Sequence, residues 1–163
     1  MNNLVYLGKI TSTHGIKGEL KIKSDFEYKE RVFVKSFNIY IDGIMHTITS
    51  YRPHKQFDMI TIDDIYDINE IYKYVGKDVY IKKEDLKLNS LEYLYQDLIG
   101  LSIIENNKFY GKVKGIRKSN IPLLEIDYKT NYLIPLVDEY VKKIDLEKKY
   151  IIVEDVKELI LWK

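Results

Sequence analysis

The stretch ITSTHGIKGELKIKS, residues 10–24, holds the densest set of side chains in this chain that could do chemistry at short spacing. Thr11, Ser12 and Thr13 offer hydroxyls, His14 an imidazole and Lys17 an ammonium, while Gly15 and Gly18 stand three residues apart among them. Such groups meet phosphate or carbonyl oxygens, and glycine reaches backbone conformations closed to other residues. Three readings are open at this level: a tight connection, a phosphate cradle, or an exposed loop that touches a partner. The Gly-Ile-Lys-Gly spacing matches the Gly-x-x-Gly loop of KH domains, but that loop joins two helices and here both flanks read as strands. The nucleotide-binding pattern Gly-x-x-x-x-Gly-Lys-Ser/Thr is absent.

Little else points to catalysis. His14, His46 and His54 lack metal-ligand spacing and have no carboxylate pair beside them in the sequence. There is no cysteine, so thiol catalysis, disulfides and zinc–thiolate sites are excluded. Asp63-Asp64 reads as surface charge at a strand end. The sequence therefore predicts no catalytic residue, no metal and no cofactor. Charge is more informative. The formal net charge is only +1, yet Lys9, Lys17, Lys21 and Lys23 face one acid, Glu19, between positions 9 and 23. A second basic run, Lys108, Lys112, Lys114, Arg117 and Lys118, contains no acid. Asp58, Asp63, Asp64, Asp67 and Glu70 form an acidic stretch between them. Local patches of this kind steer a charged partner even when the total is near zero.

The elements that must position these groups are strands. Branched and aromatic residues come in short runs divided by turn signals, the pattern of an all-β protein. Strands are expected near 4–10, 18–24, 37–42, 44–51, 57–63 and 77–82, then near 100–105, 109–117, 122–128, 132–136 and 149–153. Asp42-Gly43 and Asn106-Asn107 suit tight hairpin turns. Ile68, Ile71, Tyr72 and Val75 fall at helical spacing before Gly76, so a short helix is expected there. Residues 83–92 carry no strand pattern and read as a linker. Residues 11–18 read as an eight-residue connection. The expectation is two small β-barrels, 1–82 and 93–163, since closure removes the edges that such small sheets would expose. The N-terminus lacks the pattern of a signal peptide, and no run approaches the ~20 apolar residues of a membrane span, so a cytoplasmic protein without a membrane partner is expected.

GKITSTHGIKGELKI resembles the N-terminal signature of the bacterial RimM family of ribosome maturation factors. EYLYQDLIGL, GKVKGI and LIPLVDEYVKKIDLEKKYIIV follow in that family's order and spacing. The resemblance implies a six-stranded barrel similar to translation-factor domains, then a PRC barrel. It implies a non-enzymatic, monomeric factor that assists assembly of the small-subunit (30S) head. Its partners would be the nineteenth small-subunit ribosomal protein, the immature 30S subunit and 16S rRNA. By position, Thr13, His14, Gly15, Lys17 and Gly18 become a ribosome-binding loop. Tyr93, Tyr95, Asp97 and Leu98 become the ribosomal-protein site, and Gly100, Ile134, Pro135, Val137 and Asp145 match PRC-barrel positions. Lys21, Lys112, Lys114 and Arg117 become rRNA contacts. Two departures stand out: Leu94 replaces the usual second tyrosine, and KSNIPLLEI replaces the usual turn before the strand at 122–128. Two other readings carry over from the residues: a barrel enzyme using His14 as acid–base, and a PRC-type scaffold for membrane complexes.

Overall fold

Strand β1, Leu4–His14, pairs along its first half with one strand and along its second half with another, and this division closes the first sheet. Leu4 to Lys9 run antiparallel to β6 (Asp78–Lys82), while Lys9 to His14 run antiparallel to β2 (Glu19–Lys23). A bulge interrupts each ladder, between Tyr6 and Gly8 and between Ile10 and Ser12, and bulges bend and twist the strand that carries them. Gly8 lies at the crossover, where a Cβ would overlap the Lys23 carbonyl oxygen, so no side chain fits. The remaining strands are β3 (Asn38–Ile41), β4 (Ile44–His54) and β5 (Phe57–Ile62), and the closed order is β1-β2-β5-β4-β3-β6. This computed structural model describes residues 3–161. The chain divides into two compact units, Met1–Asn89 and Ser90–Lys163.

In the first unit, Leu7, Ile10, Leu20, Ile22, Ile60 and Ile81 fill the barrel, alternating with outward polar residues as the two-residue strand period requires. Strand β5 breaks that alternation, being buried from Asp58 to Ile62. The cause is the segment after β2, which carries helix α1 (Lys29–Val32). Phe33 stacks on Tyr51 with ring centroids 5.4 Å apart. Lys29 Nζ lies 2.7 Å from buried Asp58 and donates to the Ser24 carbonyl, and Tyr51 donates its hydroxyl proton to Asp58 at 2.8 Å. A buried carboxylate without such partners would cost several kcal/mol. Burial and the adjacent Asp58 push the Tyr51 hydroxyl up to about 12.

Helix α2 (Ile68–Ile71), capped by the Asp67 carboxylate on Asn69 N–H, continues as a 3-10 turn, Tyr72–Tyr74. Gly76 follows with φ +86°, the left-handed stop its position predicts. His46 is buried here: its Nδ1 lies 2.6 Å from Asp63 Oδ2 and its ring packs edge-on against Tyr74. Asp63 is thus a buried histidine's partner as well as surface charge, a pairing of residues 17 apart that local sequence does not show.

The second unit begins with a 3-10 turn, Tyr95–Leu98, and builds one six-stranded sheet. Its strands are β7 (Ser102–Glu105), β8 (Lys108–Arg117), β9 (Leu123–Asp127), β10 (Tyr132–Pro135), β11 (Val141–Asp145) and β12 (Tyr150–Val153). Their order is β10-β9-β8-β7-β12-β11, with only β7 and β12 parallel. It is a half-barrel: β10 and β11 end the ladder, and helix α3 (Val156–Leu161) packs on β10. Leu98, Ile103, Val113, Ile126, Ile134 and Ile151 form the core. Asn106 and Asn107 both adopt positive φ, as the hairpin they close requires.

Four features depart from the sequence reading. Strand β1 runs on to His14, so Thr11, Ser12, Thr13 and His14 are strand residues and the connection is only 15–18. Strand β11 went unforeseen because Lys142-Lys143 breaks apolar alternation; its pairing with β12 makes it a strand. Helices α1 and α3 are only 4 and 6 residues long, too short for a periodic signal. Residues 83–86 form a 3-10 turn that buries Leu86, whose carbonyl accepts from Arg31.

A fragment 1–89 is expected to unfold cooperatively by itself, and so is 90–163. Ending the first fragment at 82 removes Leu86 and the Arg31 acceptor, a loss of about 2 kcal/mol, which lowers its melting midpoint by about 8 °C or more. Circular-dichroism melting of the three fragments checks this.

Candidate functional site

The loop 15–18 closes the β1–β2 hairpin, and its two glycines do different work. Gly15 has φ +65° with nothing within 4 Å of where a Cβ would stand, so it supplies only a left-handed angle. Gly18 has φ +86° and is buried: a Cβ would lie 2.7 Å from the Ile65 carbonyl oxygen and 2.8 Å from Tyr66 Cα. One glycine turns the chain and the other locks the hairpin against residues 65–66. Between them Ile16, 79% exposed, and Lys17 form the tip.

Below the tip, cationic groups from three strands and a turn converge. The His14 ring lies 5.1 Å from the His54 ring, Lys21 Nζ sits 4.3 Å above the Phe57 ring, and Lys55 occupies the β4–β5 turn. Arg52 grips Glu19 with two hydrogen bonds of 2.8 Å. That bond holds the Glu19 carboxyl below its ordinary range, partly offset by desolvation. Desolvation, then the charges of His14, Arg52, Lys55 and Lys21, lower the His54 pKa from 6.5. A polyanion laid over this face would meet the Lys21 and Lys55 charges and favour the protonated form of His54. Lys9 and Lys23 lie exposed and opposite each other on β1 and β2, and Lys9 has Asp78 opposite it on its other side, on β6.

Thr13, His14, Lys17 and Lys21 of the sequence reading thus belong to one hairpin. Thr13 is opposite Leu20, and Thr11 donates its hydroxyl proton to the Lys21 carbonyl. Arg52, His54 and Lys55 escaped the reading. Their signal was present in YRPHK, residues 51–55, but only the β2–β5–β4 pairing brings that run beside Lys21.

In the second unit the expected residues separate. Leu94 and Leu98 are fully buried, so Leu98 holds the core rather than meeting a partner, and Leu94 replaces a tyrosine with packing. Asp97 accepts from the Leu94 N–H at 3.3 Å and so holds its own turn. Tyr93 and Tyr95 are half-buried against the core, with Lys118 Nζ 5.9 Å from the Tyr95 ring. Tyr93 borders a groove of ≈ 730 Å³ whose wall includes Leu136, Val137, Val141 and Ile144, and Leu91 on its rim is 88% exposed. The basic run of β8 is partly neutralised: Arg117 pairs with Glu125 at 2.9 Å, and Lys112 lies opposite Asp127. Asp145 accepts from the Lys148 N–H, which shapes the β11–β12 turn. In the departing segment 118–126, Ser119 donates to the Ile121 carbonyl and closes a local turn.

Comparison with known proteins gives matches along the chain. The family profile described as RimM N-terminal domain matches residues 5–86, and the RimM PRC barrel domain profile matches residues 95–159. A ribosome maturation factor RimM from an Exiguobacterium species is 34% identical over 158 residues, 91% of this chain and 92% of that protein. The protein of the same name from Staphylococcus haemolyticus is 35% identical over 155 residues, 90% of this chain and 93% of that one. The solution structure of the N-terminal domain of RimM from Thermus thermophilus is 21% identical, covers 55% of this chain and 98% of that one, and has a TM-score of 0.44.

The two glycines predict different costs. Gly15→Ala is expected to lower stability by about 1 kcal/mol through its left-handed angle alone. Gly18→Ala adds backbone overlap, for about 3 kcal/mol or more. Denaturant titration of the two variants checks the ranking, and equal costs would contradict the packing described.

Proposed function

The chain belongs to the RimM family of ribosome maturation factors, and from that premise we propose that it assists maturation of the 30S head and 16S rRNA processing as a transient, non-catalytic binder. It acts in the cytoplasm as a monomer without a cofactor. Its partners are the nineteenth small-subunit ribosomal protein and nearby rRNA of the immature subunit.

The observation that carries this reading is the cationic face of the first barrel. Lys21, Lys55 and the His14 and His54 imidazoles converge there, while Arg52 and Glu19 neutralise each other. Such a face is suited to phosphate, which releases counterions as it binds. Thr13, His14, Gly15, Lys17 and Gly18 place the hairpin tip beside that face. In the second unit, Tyr93 and Tyr95 serve as the ribosomal-protein contacts, each half-buried with its ring packed on the core. Asp97 supports them by fixing the turn. Lys112 and Lys114 add weaker rRNA contacts, with Arg117 already shared with Glu125. The His46–Asp63 contact ties β4 to the end of β5, which gives this histidine a structural role.

Co-sedimentation of the full-length protein with immature small subunits tests the reading. Association should weaken steeply as salt rises, by roughly one power of salt concentration for each phosphate neutralised. It should strengthen as pH falls. His54 in the free protein titrates below 6.5, and a bound polyanion raises its pKa, so binding takes up a proton. The gain accumulates as pH drops through the bound-state value and levels off below the free-state value, and His54→Ala should reduce it, with the neighbouring His14 imidazole left in place. Association indifferent to both salt and pH would overturn the electrostatic part.

The tyrosines give a separate expectation. A Tyr93→Ala, Tyr95→Ala variant with an unchanged melting midpoint should bind the ribosomal protein more than tenfold more weakly in calorimetry. Its association with naked rRNA should be unaffected.

A further inference from the structure

We propose that the second unit carries a stacking platform for an unpaired nucleobase, formed by Phe109 and Tyr128 and rimmed by Lys108, Lys112 and Lys129. The proposal rests on reading the protein as an RNA-contacting assembly factor and deepens it. Phe109, beside the Asn106-Asn107 turn, is 51% exposed. Its ring lies 6.4 Å from the Tyr128 ring at 66°, and Tyr128 is braced by Tyr110 at 6.1 Å and edge-on by Tyr132 at 6.2 Å. Buried Tyr132 is pinned in turn, its hydroxyl donating to the Tyr110 carbonyl at 2.6 Å.

This bracing has a backbone cause. Gly111 has φ +110°, and a Cβ there would lie 2.6 Å from the Asp127 carbonyl oxygen and 3.0 Å from Tyr128 Cβ. Tyr128 can approach β8 this closely only because residue 111 has no side chain. Tyr128 is thus held in place before any ligand arrives, which lowers the entropic cost of binding on its side of the pair.

Charge selects the ligand class. Lys129 Nζ lies 6.0 Å from the Tyr128 ring, and Lys108 and Lys112 flank Phe109 along β8, all three lysines exposed. The nearby acids are Asp127, opposite Lys112, and Glu105, opposite Lys108, whose two oxygens also accept from the Asp155 and Val156 N–H groups. Three ammonium groups against two carboxylates leave a net positive rim, which favours a ligand that brings both a flat ring and a phosphate. Duplex RNA keeps its bases stacked inside, so the platform selects single-stranded segments.

The test is fluorescence-anisotropy titration of the full-length protein with a labelled single-stranded oligouridine, about eight nucleotides long, over a salt series. Phe109→Ala should weaken binding roughly tenfold, with the slope of log affinity against log salt unchanged. Phe109→Tyr should restore it. Lys112→Ala with Lys129→Ala should instead flatten the slope by about 0.7 for each phosphate that is no longer neutralised. Wild-type affinity in a folded Phe109→Ala variant, or equal binding of duplex RNA, overturns the proposal. So does a Phe109→Ala variant that loses the ribosomal protein but keeps oligouridine, which would make the patch a protein-docking surface and leave the assembly function standing. Phe109-dependent oligouridine binding with no association to immature subunits would support the platform and refute the assembly function alone.

Discussion

The first unit depends on one strand being shared. Strand β1 gives its first half to β6 and its second to β2, and the sheet closes only because Gly8 lets the chain cross from one ladder to the other against the Lys23 carbonyl. Two bulges bend the strand enough to serve both neighbours. Closure then has an outward consequence. The second half of β1 is free to continue with β2 to the glycine-bounded tip, so the hairpin that carries His14 and Lys17 is an extension of the barrel wall. Its position is set by the same hydrogen bonds that hold the core.

The charges show how near-neutrality overall coexists with a committed face. Four acids of the first unit make internal ties: Asp58 with Lys29 and Tyr51, Asp63 with His46, Glu19 with Arg52 and Asp67 with the start of α2. Near the hairpin, Glu19 lies opposite His14 and is bound by Arg52, while the charges of Lys21 and Lys55 bear on His54. In the second unit acids and bases face each other across strands, as Arg117 and Glu125 do, and the surface there is closer to balanced. The barrel therefore has more to gain from an anion than the half-barrel, except around Phe109.

How much could be read from residues alone follows from the range of the interactions. The strands were legible because burial alternates over two residues, and the Asp42-Gly43, Gly76 and Asn106-Asn107 stops were legible because each needs only its own backbone angle. Strand β11 was not, because Lys142 and Lys143 mask a strand defined by its partner Tyr150–Val153. The site divides the same way. His14, Lys17 and Lys21 are close in sequence and were found together. Arg52 and His54 come from a strand two places away in the sheet and were not. Gly15 and Gly18 look alike in the sequence, and only the contact with residues 65–66 separates them. Leu98 matched a family position yet lies wholly inside, since a motif marks a place in the chain and not the side of the sheet it faces.

The unclosed ladder of the second unit has a consequence for how copies of the chain behave toward one another. A half-barrel ends in strands whose outer backbone groups could template another chain. Helix α3 packs on the β10 edge, and the β11 edge is only five residues long, carries adjacent lysines and is broken by an irregular register between Val141 and Lys143. Such an edge offers a second copy too short a run of in-register bonds, and opposing ammonium groups as well. The sheet can thus stay open without seeding fibrils, and crowding during synthesis becomes a smaller hazard than the topology alone would suggest.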